Sequence, residues 1–324
     1  MNTQLTVATF SEALSAILPN AVTTSVLCVS GGIDSMVLWH LFRGSGRPYV
    51  ILHVNFRLRG ADSEADADLV RRTAAERGVE AHVYDAPADL ATASGRGVQE
   101  RARALRLKYS SALSDTLGGA PVLLAHHADD QAETVLMRLT RGTGGAGLIG
   151  MTPASPPLYR PLLDFTRAQI EAYAKTHNVG YREDRSNASG QYTRNAFRHH
   201  VLPAVLASEP RAVQGILRTA RQQADLVQFA RAAALRTLAA AVLAEADPSA
   251  PEYDRQALAT VPGRTTLCYF WLHELGYRSA QITELSAWIA DGAPQRRRMV
   301  HPNGREVIIV TGRRVYRAPL PHHP

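Results

Sequence analysis

The first half of the chain alternates short apolar runs with longer amphipathic segments. The apolar runs have the length and β-branched content of buried strands, and they lie at 25–29, 49–56, 80–85 and 121–126. The amphipathic segments have apolar residues at helical spacing, and they lie at 34–42, 63–78, 98–117 and 129–139. Strands that alternate with helices form right-handed βαβ units. The pattern therefore predicts an α/β fold with a doubly wound, mostly parallel, Rossmann-like sheet.

The pattern changes in the second half. A loop rich in Gly, Pro and Thr, a short strand with a helix, and a polar loop that leads into a helix are predicted at 140–157, 160–179 and 183–203. From residue 209 the sequence is Ala-rich and helical, and it ends in strands with a hairpin signal at 302–304. We therefore predict one domain at 1–208 and a smaller, mainly helical domain at 209–324 that ends in short strands.

Polar clusters accompany the ends of three predicted strands. Residues 30–35 follow the first strand, 53–55 end the second, and 126–127 end the last. In parallel α/β sheets, ligands bind beyond the carboxyl ends of the strands, where the strand order reverses. The sequence therefore predicts a binding site where these clusters meet.

The first cluster, the anion loop, has the composition of a phosphate site. It consists of Ser30, Gly31, Gly32, Ile33, Asp34 and Ser35. A Gly-Gly turn before a helix exposes backbone N–H groups, allows close approach of a phosphate, and places it at the positive end of the helix dipole. No Lys follows the glycines, so this is not a Walker loop. The alternative is an ordinary strand-to-helix turn that Ser30 caps.

The last cluster continues into an acidic helix. Its polar residues include His126, His127, Asp129, Asp130 and Glu133. Asp130 and Glu133 are three residues apart and share a helix face. The helix dipole favours one acidic residue in the first turn, but three beside two histidines exceed that need. Carboxylates here predict a site for phosphate-bound Mg²⁺ or for a substrate ammonium group, and a zinc site is the alternative.

Charge and cysteine content narrow the function classes. The formal net charge is +7 and the pI is about 9.7, and only Lys108 and Lys175 among the 36 basic residues are not arginine. A codon bias would explain why arginine outnumbers lysine, but it does not explain why the net charge is positive. The positive net charge favours a nucleic-acid partner. Cys28 and Cys268 are far apart in sequence, which argues against a disulfide framework and fits a reducing cytosol. We expect no signal peptide and no membrane span.

Three further segments combine arginine with other chemistry. The Gly-rich loop after Arg138 is suited to close over a phosphate, although many such loops are only linkers. The helix over 99–109 is basic, and Arg106 either lies on a solvated face or points toward the binding site. Residues 182–198 mix Arg, Tyr and Asn, which suits phosphate contacts and base stacking as well as the capping of a helix start.

The anion loop resembles the pyrophosphate loop of the N-type ATP pyrophosphatases, the PP-loop superfamily, which split ATP into AMP and pyrophosphate. Further segments narrow the resemblance to the tRNA(Ile)-lysidine synthetase family, and these are 126–134, 184–187 and 194–195. The resemblance covers about 25–205 and is to the compact form, with a single appended domain. Phe56 and Arg57 stand where many members have His-Gly, so we assign no catalysis to that position.

The resemblance implies a reaction. ATP adenylates the C2 oxygen of the wobble cytidine in an isoleucine tRNA with a CAU anticodon, and pyrophosphate leaves. The ε-amine of free L-lysine then attacks C2 and displaces AMP, which forms lysidine. The implied protein is a cytoplasmic ligase that forms carbon–nitrogen bonds, with its catalytic domain at 1–208 and its tRNA-binding domain at 209–324. A homodimer is left open.

The resemblance also assigns residues to this reaction. The anion loop would bind ATP. The implied Mg²⁺ ligands are Asp34 and Asp130. The implied catalytic residues around lysine and the adenylate are Asp34, Arg106, His126, Asp130 and Glu133.

Three rival functions share the same loop. A tRNA thiolase needs paired cysteines or an iron–sulfur cluster, for which Cys28 and Cys268 are poorly placed. A small-molecule amidating enzyme, such as an NAD or GMP synthetase, would not require the basic segments. A nucleotide sensor of the same sheet type would not need the acidic helix that begins at Asp129.

Overall fold

The computed structural model describes residues 4–18, 24–87, 97–182, 193–244, 246–247, 250–291 and 296–320 of the 324-residue chain. Its contacts divide the chain into two compact units, Met1–Arg221 and Gln222–Pro324, and the division falls within the long helix Ala212–Ala240. The predicted domain boundary at residue 209 lies just before this helix and stays a prediction. Within the described ranges, no helix has both the length and the apolar composition needed to cross a bilayer.

The first unit has the predicted alternation of strands and helices. Its elements are α1 (Val7–Ile17), β1 (Ser25–Cys28), α2 (Ile33–Gly44), β2 (Tyr49–Asn55), α3 (Ala61–Glu76), β3 (Ala81–Asp85), α4 (Val98–Thr116), β4 (Val122–Leu123), α5 (Ala128–Thr140), α6 (Gly145–Leu148), β5 (Ala154–Ser155), β6 (Leu158–Tyr159), α7 (Arg167–Thr176), α8 (Thr193–Ala196), a π-helical turn (Phe197–Val201), α9 (Leu202–Ser208) and the start of α10 (Ala212–Ala240). The strand predicted at 121–126 is shorter than expected. A short strand was expected within 160–179, and the nearest strand, β6, ends just before that range. The region 140–157, predicted as a loop, contains the short elements α6 and β5. Two-residue strands are too short to show a period-2 pattern.

The strands of the first unit form one sheet in the order β3-β2-β1-β4-β6-β5. The pairs on both sides of β1 are parallel, and β5 runs antiparallel to β6. The chain moves outward from β1 to β3 and then returns to β4 on the other side of β1, so the strand order reverses between β1 and β4. The anion loop follows β1 and residues 126–127 follow β4, so both clusters lie at this reversal. The predicted α/β, doubly wound, mostly parallel fold is confirmed.

Helix α2 is buried on several sides. Met36, Leu38, Trp39, Leu41 and Phe42 are each at most 2% exposed. A helix that is apolar on most sides is stable only when other elements cover it, and α2 packs against α1 and α7 as well as within the main core. Each of these large side chains contributes about 1.5–3 kcal/mol on burial. The packing therefore fixes the N-terminal end of α2, which carries the anion loop.

The Gly-rich segment after Arg138 is tied to helix α5. The Arg138 guanidinium donates from Nη1 to the carbonyl oxygens of Gly147, at 3.1 Å, and Gly150, at 2.9 Å. The Gln131 side chain donates to the carbonyl of Met151 at 3.0 Å and accepts from its N–H at 2.6 Å. Arg138 is therefore engaged in closing this loop.

The second unit combines helices with an antiparallel sheet. After the remainder of α10, its elements are β7 (Glu252–Asp254), α11 (Arg255–Ala259), α12 (Arg264–Leu272), α13 (Ser279–Asp291), β8 (Arg297–Val300), β9 (Glu306–Val310) and β10 (Arg314–Pro319). The strand order is β7-β10-β9-β8, and the predicted hairpin at 302–304 joins β8 to β9. The helical character of this region and its terminal strands are confirmed. Strand β7 was missed because three residues carry no periodic pattern.

We predict that Gly150→Ala destabilises the protein more than Gly142→Ala. Both glycines have a positive φ, 70° and 73°, at which a Cβ costs about 1–2 kcal/mol. A Cβ on Gly150 would also lie 2.5 Å from Oε1 of Gln131, whereas one on Gly142 would meet nothing within 4 Å. Displacing Gln131 adds about 1–3 kcal/mol. Urea unfolding of both variants measures the difference, and equal losses would contradict the role of Gln131.

Candidate active site

The anion loop leaves β1 and ends in the first turn of α2. The Ser35 hydroxyl oxygen accepts from the Ser30 N–H at 3.1 Å, and the hydroxyl donates to the Gly32 carbonyl at 2.9 Å. Gly31 has a φ of 91°, which strains any residue with a side chain. Gly32 is the residue that precedes the helix, and no side chain caps the helix there. The first amides of α2 are therefore left for a ligand, and the alternative in which Ser30 caps the helix is wrong.

An open cleft of about 710 Å³ lies beside the anion loop. Its polar lining comes from Ser30, Asp34, Ser35, Arg106 and His126, and its other lining residues are Cys28, Val29, Leu52, Val54, Phe56, Leu124 and Ala125. Mainly apolar walls with a few convergent polar groups are typical of a cofactor or small-molecule site. The fold thus brings the anion loop, Arg106 and His126 together.

Arg106 is a desolvated cation in this cleft. Its guanidinium makes no hydrogen bond or ion pair with another residue in the described part of the chain. Burial lowers the pKa of Arg106, and the nearby Arg103 and Arg194 lower it further. Arginine nevertheless stays protonated in proteins. A phosphate in the cleft would supply the missing counter-charge.

His126 is neutral in the same cleft. Burial lowers the pKa of His126 to about 3, and Asp130 offsets this effect only in part. Its Nδ1 atom is buried without a hydrogen-bond partner among the described residues. A neutral imidazole offers one donor and one acceptor. As a neutral imidazole, His126 can therefore offer a ligand one hydrogen bond.

Asp34 is held by an arginine that the sequence analysis missed. Arg167 Nη1 lies 2.9 and 2.7 Å from the two carboxylate oxygens of Asp34. The Arg167 N–H also donates to Asp129 Oδ2 at 2.8 Å, so the start of α7 links the anion loop to the acidic helix. Burial raises the pKa of Asp34, although His127 and Arg167 both favour its ionised form. The only local signal for Arg167 is the capping box that begins at Thr166.

Asp130 and Glu133 share a face of α5, as predicted, and both contact arginines. Arg194 lies 3.0 Å from Glu133 Oε2 and 3.2 Å from Asp130 Oδ1. Arg198 lies 3.3 Å from Glu133 Oε1 and 3.6 Å from Asp130 Oδ1. Burial raises the pKa of Glu133, which is 1% exposed; for Asp130 the effect of burial is outweighed by His127 and the arginines, which lower its pKa. These two arginines, whose sequence context suits phosphate contacts, here compensate the acidic helix.

His127 lies among three carboxylates. Its Nε2 atom is 3.4 Å from Asp130 Oδ2 and 3.8 Å from Asp34 Oδ1, and its Nδ1 atom is 3.6 Å from Asp129 Oδ2. Burial alone would lower the pKa of His127, but the carboxylates reverse the effect and raise it. Two neighbouring histidines thus have opposite electrostatic environments, because His126 faces arginines and His127 faces acids.

Two further clefts reach the same residues from other sides. One of about 680 Å³ is lined by His127, Asp129, Glu133, Arg167, Arg198, His199, Leu202, Pro203 and Leu206. A larger one, of about 1620 Å³, is bordered by Gly32, Asp34, Lys175 and Arg182, among other residues. Asp34 lines both this cleft and the one that holds Arg106. The anion loop is therefore accessible from two sides.

Two residues next to the site, His53 from the predicted polar cluster and Arg57 after it, have structural roles. His53 is 3% exposed, and its Nδ1 atom lies 2.8 Å from the carbonyl oxygen of Val29, so it braces the strand before the anion loop. Arg57 has a φ of 54°, a region that favours glycine, and ion pairs with Glu64 and Asp85 hold its side chain. The segment at 184–187 and Tyr192 lie outside the described residues.

Metal ligands are sparse in the described part of the chain. Within it, no group of three or more His, Cys, Asp or Glu side chains is arranged to hold a metal ion. Zinc needs such a group. Mg²⁺ needs only one or two carboxylates when substrate phosphates complete its coordination. Asp34 and Asp130 fit that weaker requirement.

The PP-loop domain family matches residues 6–205. The chain belongs to the PP-loop family. It is also similar to curated proteins named tRNA(Ile)-lysidine synthase. The protein from Porphyromonas gingivalis is 34% identical over 263 residues, which are 81% of this chain and 57% of that protein. The protein from Burkholderia pseudomallei is 36% identical over 276 residues, which are 82% and 55% of the two chains.

These comparisons confirm the resemblance read from the motifs. The chain spans about half the length of the curated relatives it matches. Among solved structures, the U34-tRNA thiolase NcsA from Methanococcus maripaludis, described with its [4Fe-4S] cluster, has a TM-score of 0.55 at 17% identity and covers 67% of this chain and 76% of its own. At that identity the likeness shows a shared PP-loop fold alone.

We predict that Arg194→Met destabilises the PP-loop unit by about 2–4 kcal/mol, because Glu133 is buried and would lose one of its two guanidinium partners. Arg71→Met is the matched control, since its 2.9 Å pair with Asp68 is exposed and should contribute less than about 1 kcal/mol. Urea unfolding of both variants provides the test. Equal small losses would mean that Arg198 alone compensates Glu133.

We also predict that both cysteines resist alkylation in the native protein. Cys268 is buried, whereas Cys28 is partly exposed and lines the cleft beside the anion loop. Desolvation nevertheless raises the pKa of both thiols to about 12, and the thiolate is the reactive form. Iodoacetamide at pH 8 should modify neither thiol natively and both in urea, as mass spectrometry would show. Rapid native labelling of Cys28 would reveal a reactive thiol in the cleft and would revive the thiolase alternative.

Proposed function

We propose that this PP-loop protein ligates L-lysine to C2 of the wobble cytidine of an isoleucine tRNA with a CAU anticodon. One observation carries the proposal: a cleft suited to phosphates lies beside the anion loop, and an acidic pair, Asp130 and Glu133, lies on the neighbouring helix α5. The names of the curated relatives support the same reaction. The carbonyl oxygen at C2 is a poor leaving group, so adenylation before amine attack is a reasonable activation.

ATP would bind in the cleft beside the anion loop. The uncapped amides at the start of α2 and the hydroxyls of Ser30 and Ser35 are suited to its phosphates. Arg106 would balance the charge that develops as pyrophosphate leaves and later as AMP leaves. His126, being neutral, would donate or accept one hydrogen bond there.

Lysine would bind against α5. A free amino acid carries an ammonium and a carboxylate, and the cluster of Asp130 and Glu133 with Arg194 and Arg198 offers both opposite charges within one small region. An amine with an unperturbed pKa of about 10.4 must lose a proton before it attacks. The nearby carboxylates are suited to hold the amine until then.

Mg²⁺ is proposed as the cofactor of ATP, with Asp34 and Asp130 as its protein ligands. When bound, the ion would neutralise phosphate charge. Both carboxylates now contact arginines, so their release from Arg167 and Arg194 would accompany binding of the ion.

The net charge of +7 supports a nucleic-acid partner. We propose that residues 1–208 form the catalytic domain and that 209–324 contact the tRNA. We also propose a cytoplasmic location. A homodimer is left open, and light scattering of the purified protein would test it.

The test is incorporation of labelled lysine into a CAU-anticodon isoleucine tRNA transcript, with ATP and Mg²⁺, while AMP and pyrophosphate are followed. We expect incorporation equal to AMP release and none with a wobble-uridine transcript. Release of AMP and pyrophosphate without lysine incorporation would favour another nucleophile, as in an amidating enzyme. Absence of ATP turnover with every tRNA would favour a nucleotide sensor.

Glu133→Gln should raise the KM for lysine by about tenfold or more, because it removes a carboxylate proposed to hold the lysine ammonium group. The Kd for ATP should stay within about twofold, because Glu133 does not line the cleft beside the anion loop. Asp68→Asn is the control, since Asp68 lies in an exposed ion pair on α3. An unchanged KM for lysine in a folded Glu133→Gln variant would remove Glu133 from the proposal.

A further inference from the structure

The peptide between Gly31 and Gly32 is held from outside the anion loop. The main-chain N–H of Arg182 donates to the Gly31 carbonyl at 3.0 Å. Gly31 also packs on α3, since a Cβ at this position would lie 3.3 Å from the Cβ of Asp66. A trans peptide is planar, with its C=O and N–H pointing in opposite directions. Fixing the Gly31 carbonyl therefore also fixes the direction of the Gly32 N–H.

Asp66 fixes the side chain of Arg182. The Asp66 residue is 8% exposed, and each carboxylate oxygen accepts from a different guanidinium. Oδ1 accepts from Arg182 Nε at 2.9 Å, and Oδ2 accepts from Arg59 Nη2 at 2.6 Å. Arg182 Nη2 also donates to Asp62 Oδ1 at 3.0 Å. A buried carboxylate with both oxygens engaged resists rotation, because rotation would leave charge unpaired.

The anion loop is thus joined to two segments that are distant in sequence. Asp66 holds the Arg182 side chain, 116 residues away in the chain, and the Arg182 backbone holds Gly31. Arg182 borders the cleft of about 1620 Å³, but its guanidinium is engaged by Asp62 and Asp66. Its influence on the loop runs through the main chain.

We propose that Asp66 and Arg182 are positioning residues that orient the Gly32 amide and so prepare the anion loop for nucleotide phosphates. An amide donor that is already oriented needs no reorganisation when the phosphate arrives. The inference rests on the proposed function only for the identity of the nucleotide. Neither residue is assigned contact with lysine or with the reacting atoms.

The test compares Asp66→Asn, Arg182→Gln and the double variant by equilibrium binding of ATP with Mg²⁺, in the absence of tRNA and lysine. Each single variant should weaken ATP binding by about tenfold, because small misplacements of donors carry large effects. The double variant should be no weaker than the weaker single variant, since the residues act as a unit. Arg182→Lys retains the positive charge that Asp66 binds and should recover part of the affinity that Arg182→Gln loses.

Asp68→Asn is the matched control. Asp68 lies on the same helix as Asp66, but its carboxylate is exposed and pairs with Arg71 at 2.9 Å. This variant should leave ATP affinity within about twofold of the wild type. ATP affinities of Asp66→Asn and Arg182→Gln within twofold of the control would overturn the proposal.

A general structural role predicts a different pattern. If Asp66 only stabilises the fold, its loss would weaken ATP and lysine binding alike in step with a lower Tm, and that outcome also overturns the proposal. Selective loss of ATP affinity, measured at a temperature well below the Tm of the variant, where it is fully folded, supports the proposal. ATP binding is measured here without lysine transfer. If the ligation assay fails, the proposed reaction is overturned, but the binding test of Asp66 and Arg182 remains valid.

Discussion

The burial of α2 between the sheet and its neighbouring helices is the constraint on which the site depends. Large apolar side chains on several faces of α2 fix its position to within the tolerance of a packed core. Its uncapped start is therefore a fixed set of donors rather than a fraying helix end. The reversal of strand order beside β1 then opens a cleft at that point. Apolar packing thus determines where a polar ligand can bind.

Charge compensation organises the other half of the site. Acidic side chains on α5 and in the anion loop would be costly to bury alone, and arginines from α7, α8 and the π-helical turn contact them. The result is a network in which most charges have a partner before any substrate arrives. A charged ligand would therefore have to exchange partners within this network, which favours molecules that carry both signs of charge.

Local sequence patterns predicted most helices and strands, but they did not predict contacts between residues far apart in sequence. The alternation of strands and helices, the anion loop and the acidic face of α5 each depend on residues within one or two turns, where periodicity and turn chemistry act. The Arg167 contact with Asp34 joins residues 133 apart in sequence, and no local pattern marks it. The same holds for Asp66 with Arg182. Strands β5 and β7 were missed because tertiary pairing, not local preference, defines them.

Arg106 has a consequence for the free protein. A guanidinium in a mainly apolar cleft, with no anion beside it in the described part of the chain, raises the free energy of the folded state relative to a neutral side chain of similar size. That cost is relieved when a phosphate enters. Part of the free energy of folding that Arg106 costs would therefore return as affinity for a bound anion, so the same residue that lowers the stability of the protein would strengthen the binding of its ligand.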